Sequence, residues 1–264
     1  AALGLAGALR QALVRNPLAD PGLLGVNMGA TTAVVAAIHL FGLTGVDVYV
    51  WFSFVGAAAA SVLVYLLGSR GRTGATPVRL ALAGTAVSAV LLGVTNGVVL
   101  FDDFVFEEIR FWQVGSLTGR DLEILGSVAP FLVGGVLLAL SLGRSLNAIA
   151  LGEDLAAALG ARIGRVRALT ATAVVLLCGA ATAAAGPIAF VGLAVPHAAR
   201  LLTGPDQRWL LPYSAVLGAV LLVASDTLGR VVLPHGELEV GIITALVGAP
   251  VFVFLVRRTR MPRL

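Results

Sequence analysis

The chain has 264 residues, 58% of them apolar and only 12% charged, with a mean hydropathy of +0.98. A soluble domain carries roughly twice that charged fraction, so a water-exposed globule is excluded even though the length would suffice for one. The net charge of +4 comes from Arg residues scattered between apolar runs, which argues for membrane topology rather than nucleic-acid binding.

Apolar runs long enough to cross hydrocarbon recur from end to end. In chain order they predict a partial span at about 1–13, then spans at 22–42, 51–68, 79–100, 124–142, 166–186, 188–203, 211–229 and 238–256. The 188–203 run is short and reads as partly re-entrant. Without a long polar linker, residues 1–264 read as one transmembrane domain. The chain opens inside an apolar segment without Met, and no basic n-region or cleavage site precedes it. It therefore reads as truncated at its N-terminus. The 32 glycines suit helices packed closely in lipid. Cys178 lies within an apolar run and reads as a small packing residue.

All 18 basic residues are Arg, and by the span order only Arg110, Arg120 and Arg230 fall at the end opposite the others. The positive-inside rule makes the Arg-rich end cytoplasmic. Acidic residues gather at the other end, notably Asp102, Asp103, Glu107 and Glu108, which read as a solvated outer loop.

Three segments are patterned. Asn16-Pro17-Leu18-Ala19-Asp20-Pro21-Gly22-Leu23-Leu24-Gly25 ends one helix and starts another, because Pro and Gly both disfavour an unbroken helix. Irregular backbone at membrane depth persists where it is buried in protein or lines a watery cavity; a simple turn between spans is the other reading. Gly186-Pro187-Ile188-Ala189-Phe190-Val191-Gly192-Leu193 repeats part of that pattern at the opposite end, as an inverted repeat would. The third segment, Leu151 to Arg162, sits in the longest cytoplasmic connection, about 143–165. Glu153 and Asp154 near the start of a short helix and Arg162 beyond its end suit the helix dipole. Such a helix offers a knob to another protein or simply connects two spans.

Several chemistries are missing. With no Lys there is no Walker A loop, and no H-E-x-x-H, C-x-x-C or G-x-S-x-G occurs. His39, His197 and His235 are scattered and read as structural or incidental. Ser88, Ser116 and Ser141 have no evident base, which argues against an intramembrane enzyme. Uphill transport would need a partner or an ion gradient. A gradient-driven carrier usually holds ionisable groups at midplane, and the main candidate, Asp226, lies near an outer helix end. Asp226 and Arg230 also stand four residues apart, placed for an i,i+4 pair.

The residues resemble the FecCD or BtuC-like permeases of binding-protein-dependent ABC importers. The resemblance covers nearly the whole chain. It rests on Asn16–Gly25, Arg79-Leu80-x-Leu82-Ala83-Gly84, Phe111-Trp112-x-x-Gly115-Ser116-Leu117, Leu151-Gly152-Glu153-Asp154 with Ala158-Leu159-Gly160, Phe190-Val191-Gly192-Leu193-x-Val195-Pro196-His197-x-x-Arg200, and Gly241-Ile242-Ile243-Thr244-Ala245-Leu246-x-Gly248-Ala249-Pro250. It implies an all-α, polytopic ten-helix permease fold, here without the first helix, in the bacterial cytoplasmic membrane. It also implies a second permease subunit (a copy or a paralogue), two cytoplasmic ATPase subunits that hold ATP and Mg, an outer substrate-binding protein, and no cofactor on this chain.

Carried over by resemblance, Leu151, Gly152, Glu153, Asp154, Ala158, Leu159 and Gly160 match the ATPase-coupling helix. Asn16 and Leu18 match the cytoplasmic gate, with Thr76 a second candidate. Arg230 and the outer loop at Glu237 match the docking site for the binding protein. Glu239 stands where many relatives have Pro, which leaves the local loop shape open. The form of the 16–30 segment looks most like ferric siderophore permeases, with haem and cobalamin as the alternatives.

Overall fold

The computed structural model describes residues 1–17, 19, 25–70, 77–158, 160–232 and 238–258. Twelve helices follow one another: α1 (Ala2–Val14), α2 (Val26–Phe41), α3 (Val46–Ser69), α4 (Pro77–Phe101), α5 (Asp103–Val114), α6 (Leu122–Ser141), α7 (Gly143–Ala150), α8 (Glu153–Ala158), α9 (Ile163–Ala185), α10 (Val191–Thr203), α11 (Gln207–Val232) and α12 (Val240–Arg258). No strand occurs among the described residues. Within α3, α4, α6, α9 and α11, stretches of 20 residues or more are long and apolar enough to cross a membrane. Helices α1 and α2 and the Val240–Val251 part of α12 are apolar but shorter.

The predicted spans each find a helix, with ends displaced by a few residues. The acidic stretch 102–108 corrects the sequence reading: it is not a loop but the start of α5. Asp102 caps that helix by accepting from the Val105 N–H at 3.2 Å, satisfying one of the donors a helix start leaves open. Val105, Ile109 and Trp112 bury one face against Val34, Val35, Ile38 and Tyr49. The carboxylates sit between these apolar positions, so a helical period hides in what reads as a charge run. The long cytoplasmic connection likewise holds two short helices, α7 and α8, where one is predicted.

Helix α9 is the axis. It packs against α1, α2, α3 and α6, and its Ala, Gly, Thr and Cys side chains permit close approach. Cys178 is fully buried there. The tightest crossings are glycine contacts. A Cβ on Gly7 of α1 would fall on the carbonyl of Gly192 in α10, one on Gly4 would meet the carbonyl of Ser214 in α11, and Gly29 and Gly56 join α2 to α3 in the same way. Most of the outer surface of α4 and α11 is uncovered apolar side chain.

Of the two similar Pro–Gly breaks, 186–190 is non-helical and ends with Phe190 at φ 66°. Its counterpart at 17–23 lies largely outside the described residues.

Candidate functional site

At the Arg-rich end, α7 and α8 form an elbow. Leu146 and Ile149 of α7 are buried in the main core. Asn147 donates to Asp206 Oδ1 at 2.6 Å and accepts from the Gln207 N–H at 2.9 Å, fastening α7 to the α10–α11 turn. The Asn147 amide and the Arg208 N–H hold the Asp206 carboxyl below its usual range.

Helix α8 is entered through Gly152 at φ 118° and left through Gly160 at φ 85°. The Gly160 N–H donates to Ala157 O and the Ala161 N–H to Ala156 O, both at 2.9 Å. This pair is the Schellman arrangement, which needs a left-handed residue after the helix. Ala156 is the buried anchor, whereas Leu151, Asp154, Leu155 and Ala158 are exposed. The result is a knob with two leucines and a carboxylate turned outward. Leu159 lies outside the described residues.

Asn16 follows α1, which closes with Arg15 in the left-handed region at φ 51°. The Asn16 N–H donates to Gln11 O at 3.2 Å, and Asn16 O accepts from Ala19 at 3.1 Å. Asn16 is exposed. Its two predicted gate companions, Leu18 and Thr76, fall outside the described residues.

Sequence reading missed a polar link just above this point. Gln11, buried in α1, donates to Leu193 O at 3.3 Å and accepts from the Arg200 guanidinium at 3.3 Å. The signal was available in a Gln within an apolar span. Its partner, however, is 189 residues away.

At the opposite end, Arg230 Nε meets Asp226 Oδ2 at 2.9 Å, the i,i+4 pair that the spacing predicts. Glu237 lies outside the described residues. The neighbouring Leu238 N–H donates to Gly229 O at 3.1 Å, tying the entry of α12 to α11. His39 Nδ1 donates to Asp102 Oδ2 at 2.6 Å. That bond, with the Val105 N–H, holds the Asp102 carboxyl below its ordinary range. Tyr49 donates to Glu108 at 3.2 Å, and Arg110 pairs with Glu107 at 2.7 Å. Arg120 donates to Ser116 O at 3.4 Å; burial lowers its pKa, and the charge of Glu239 partly offsets this.

Two of the resembling motifs, 111–117 and 241–250, converge here with the break at 186–190. The Gly241 N–H donates to Gly115 O at 3.0 Å, and the Ser116 N–H to Ala185 O at 2.8 Å. A Cβ on Gly186 would strike Trp112 O, and one on Gly241 would strike Val114 O. The ends of α5 and α9 and the start of α12 thus share one knot. Below it an open apolar groove of about 600 Å3 is lined by Val114, Gly241, Ile242, Ala245, Leu246, Ala249 and Pro250.

The profile of the FecCD transport family matches residues 1–258. The chain belongs to the FecCD transport family. Like other members it is a multi-pass bacterial membrane protein. It is 50% identical over 258 residues to the ferric enterobactin transport system permease protein FepD of Escherichia coli, covering 97% of this chain and 77% of that protein. It is 43% identical over 258 residues to the probable siderophore transport system permease protein YfiZ of Bacillus subtilis, covering 98% and 78%. Among solved structures, a protein assigned as a metal-chelate type ABC transporter, captured facing inward, superposes with a TM-score of 0.89 at 28% identity, over 98% of this chain and 83% of that one. PsaBC from Streptococcus pneumoniae shares the fold at a TM-score of 0.64 and 15% identity.

Proposed function

We propose that this FecCD-family chain is the permease subunit of an ABC importer that carries a ferric siderophore into the cytoplasm. The observation that carries the proposal is identity over nearly the whole chain with permeases named for ferric enterobactin and siderophore transport. Without Lys the chain cannot form a Walker A loop; on this reading ATP and Mg belong to two cytoplasmic ATPase subunits.

The ATPase grips α8. The knob is rigid because Ala156 is buried and the Schellman turn fixes its exit, and it is recognisable because Leu151, Asp154 and Leu155 face outward. Movement of the knob tilts the helices around the pathway. The inner constriction at Asn16 and Leu18, with Thr76, and the outer one then open in turn. A second permease subunit lies along the uncovered face of α4, where Gly93 and Gly97 have no neighbour within 4 Å and leave room for a close helix crossing. The binding protein docks at the outer end through Arg230 and the loop at Glu237.

The test is iron uptake by the permease reconstituted with its ATPase and binding protein, with ferric catecholate, ferric hydroxamate, haem and cobalamin as competing cargoes. Uptake of a ferric chelate, dependent on ATP, is the expected result. Uptake of haem or cobalamin alone would replace the cargo, and gradient-driven uptake by the isolated chain would overturn the importer. Asp154→Lys with Glu153→Lys should lower uptake at least tenfold, about 1.4 kcal/mol of coupling, and weaken co-purification of the ATPase. Unchanged assembly and uptake would remove α8 from the coupling role.

A further inference from the structure

Helix α7 has no place in the transport scheme beyond connecting α6 to α8, yet it is fastened to the start of α11 at two points. Gly143 lies against the backbone of Arg208, where an added Cβ would meet its Cα at 3.5 Å. One turn on, Asn147 holds Asp206 and the Gln207 N–H. Arg144 sits between these two contacts and on the same side of α7 as Asn147, because residues three apart share a helix face. Arg144 and Arg208 are both exposed, and Arg144 follows directly on Gly143, the residue of α7 that lies against Arg208. Asp206 is the nearby carboxylate, and its Oδ1 is already taken by Asn147 and the Arg208 N–H. The charge of Asp206 acts on Arg208, so one carboxylate stands against two guanidinium groups, and a further anion would balance the second.

What lies above the pair identifies the anion. Trp209, Tyr213, Val216 and Val220 recur at helical spacing along α11, opposite its buried stripe, and are 61%, 43%, 63% and 58% exposed. The stripe turns from aliphatic to aromatic at the level of the arginines. This is the order of a helix surface that runs from acyl chains into headgroups. Basic pockets between spans on the cytoplasmic side suit anionic headgroups.

We propose that Arg144 and Arg208 clamp the phosphate of an anionic phospholipid of the cytoplasmic leaflet. Trp209 and Tyr213 stand at headgroup depth, and an acyl chain runs along the valines of α11. The lipid holds the α7–α11 junction, and with it the base of the α8 knob, at fixed depth.

Native mass spectrometry of the chain extracted in mild detergent, after incubation with equal phosphatidylglycerol and phosphatidylcholine, tests this. The expected result is preferential retention of phosphatidylglycerol, a loss of at least tenfold in Arg144→Gln/Arg208→Gln, and retention kept in Arg144→Lys/Arg208→Lys. Arg110→Gln, at the other end of the bundle, should leave retention unchanged. Equal retention of the two lipids, or equal phosphatidylglycerol retention in the double Gln variant and the native chain, overturns the proposal. Trp209→Cys should stay open to a lipid-soluble maleimide in the complete transporter, where buried Cys178 does not compete. Protection by the ATPase or by a second copy would make this face a protein interface and would also overturn it.

Discussion

At the scale of single residues, the fold depends on atoms that are absent. Gly7 lets α1 lie on the carbonyl of Gly192. Pro196, four residues on, has no N–H to give that carbonyl the usual helical bond. Gly7→Ala would push backbone against backbone. It should cost about 1–3 kcal/mol, as overpacking does, read as a lower thermal midpoint in detergent. Phe190 is the converse case. A non-glycine residue at φ 66° costs about 1–2 kcal/mol, and its side chain packs over Gly248 of α12.

Two carboxyls carry a pH dependence. Asp102 is held low chiefly by His39, and Asp206 chiefly by Asn147. Depressed folded values add stability that is present above the unfolded value near pH 4 and lost as pH falls through the folded values. The thermal midpoint should therefore stay level from neutral pH to about pH 5 on this account and fall below about pH 4. Asp102→Asn/Asp206→Asn should flatten the acid limb of a melting curve taken across that range.

At the scale of elements, α5 and α8 are short helices set by local rules and anchored by a few buried contacts. Helix α8 was legible: Gly152 and Gly160 bracket it, the acids stand at its start, and the exposed Leu151 and Leu155 flank them. Helix α5 was not, because four carboxylates in seven residues suggest a solvated loop. Only the burial of Val105, Ile109 and Trp112 against α2 and α3 reveals its period. Ile109→Asp should detach α5 from the bundle. It would bury a charge without a partner, and protease sensitivity should rise between α4 and α6 while the α9 core stays protected.

At the scale of the whole molecule, the proposed function sets a second permease subunit against the uncovered face of α4. A Cβ added at Gly93 would meet no atom within 4 Å in the single chain, so Gly93→Leu would project from an open face. The isolated subunit should keep its melting temperature, whereas the paired permease should dissociate in size-exclusion chromatography. An unaltered pair would place the second subunit elsewhere. Arg230→Glu should act differently, raising the concentration of loaded binding protein needed for half-maximal uptake. Reversal of a charge at a docking rim changes association first.

The sequence by itself determined that the chain crosses the membrane many times, which end carries the arginines, that the chain breaks its helices at 186–190, and that Asp226 and Arg230 stand within reach of each other on one helix face. Hydropathy, Pro and Gly chemistry and i,i+4 spacing act within a dozen residues, so they can be read along the chain. Tertiary structure alone decided that Gln11 bonds Arg200, that Gly115, Gly186 and Gly241 form one knot, that α5 is a helix, and that Gly143 lies against Arg208. Those contacts join segments tens to hundreds of residues apart. In lipid, small-residue packing and a few polar bonds choose such partners, because apolar burial alone does not distinguish one helix face from another.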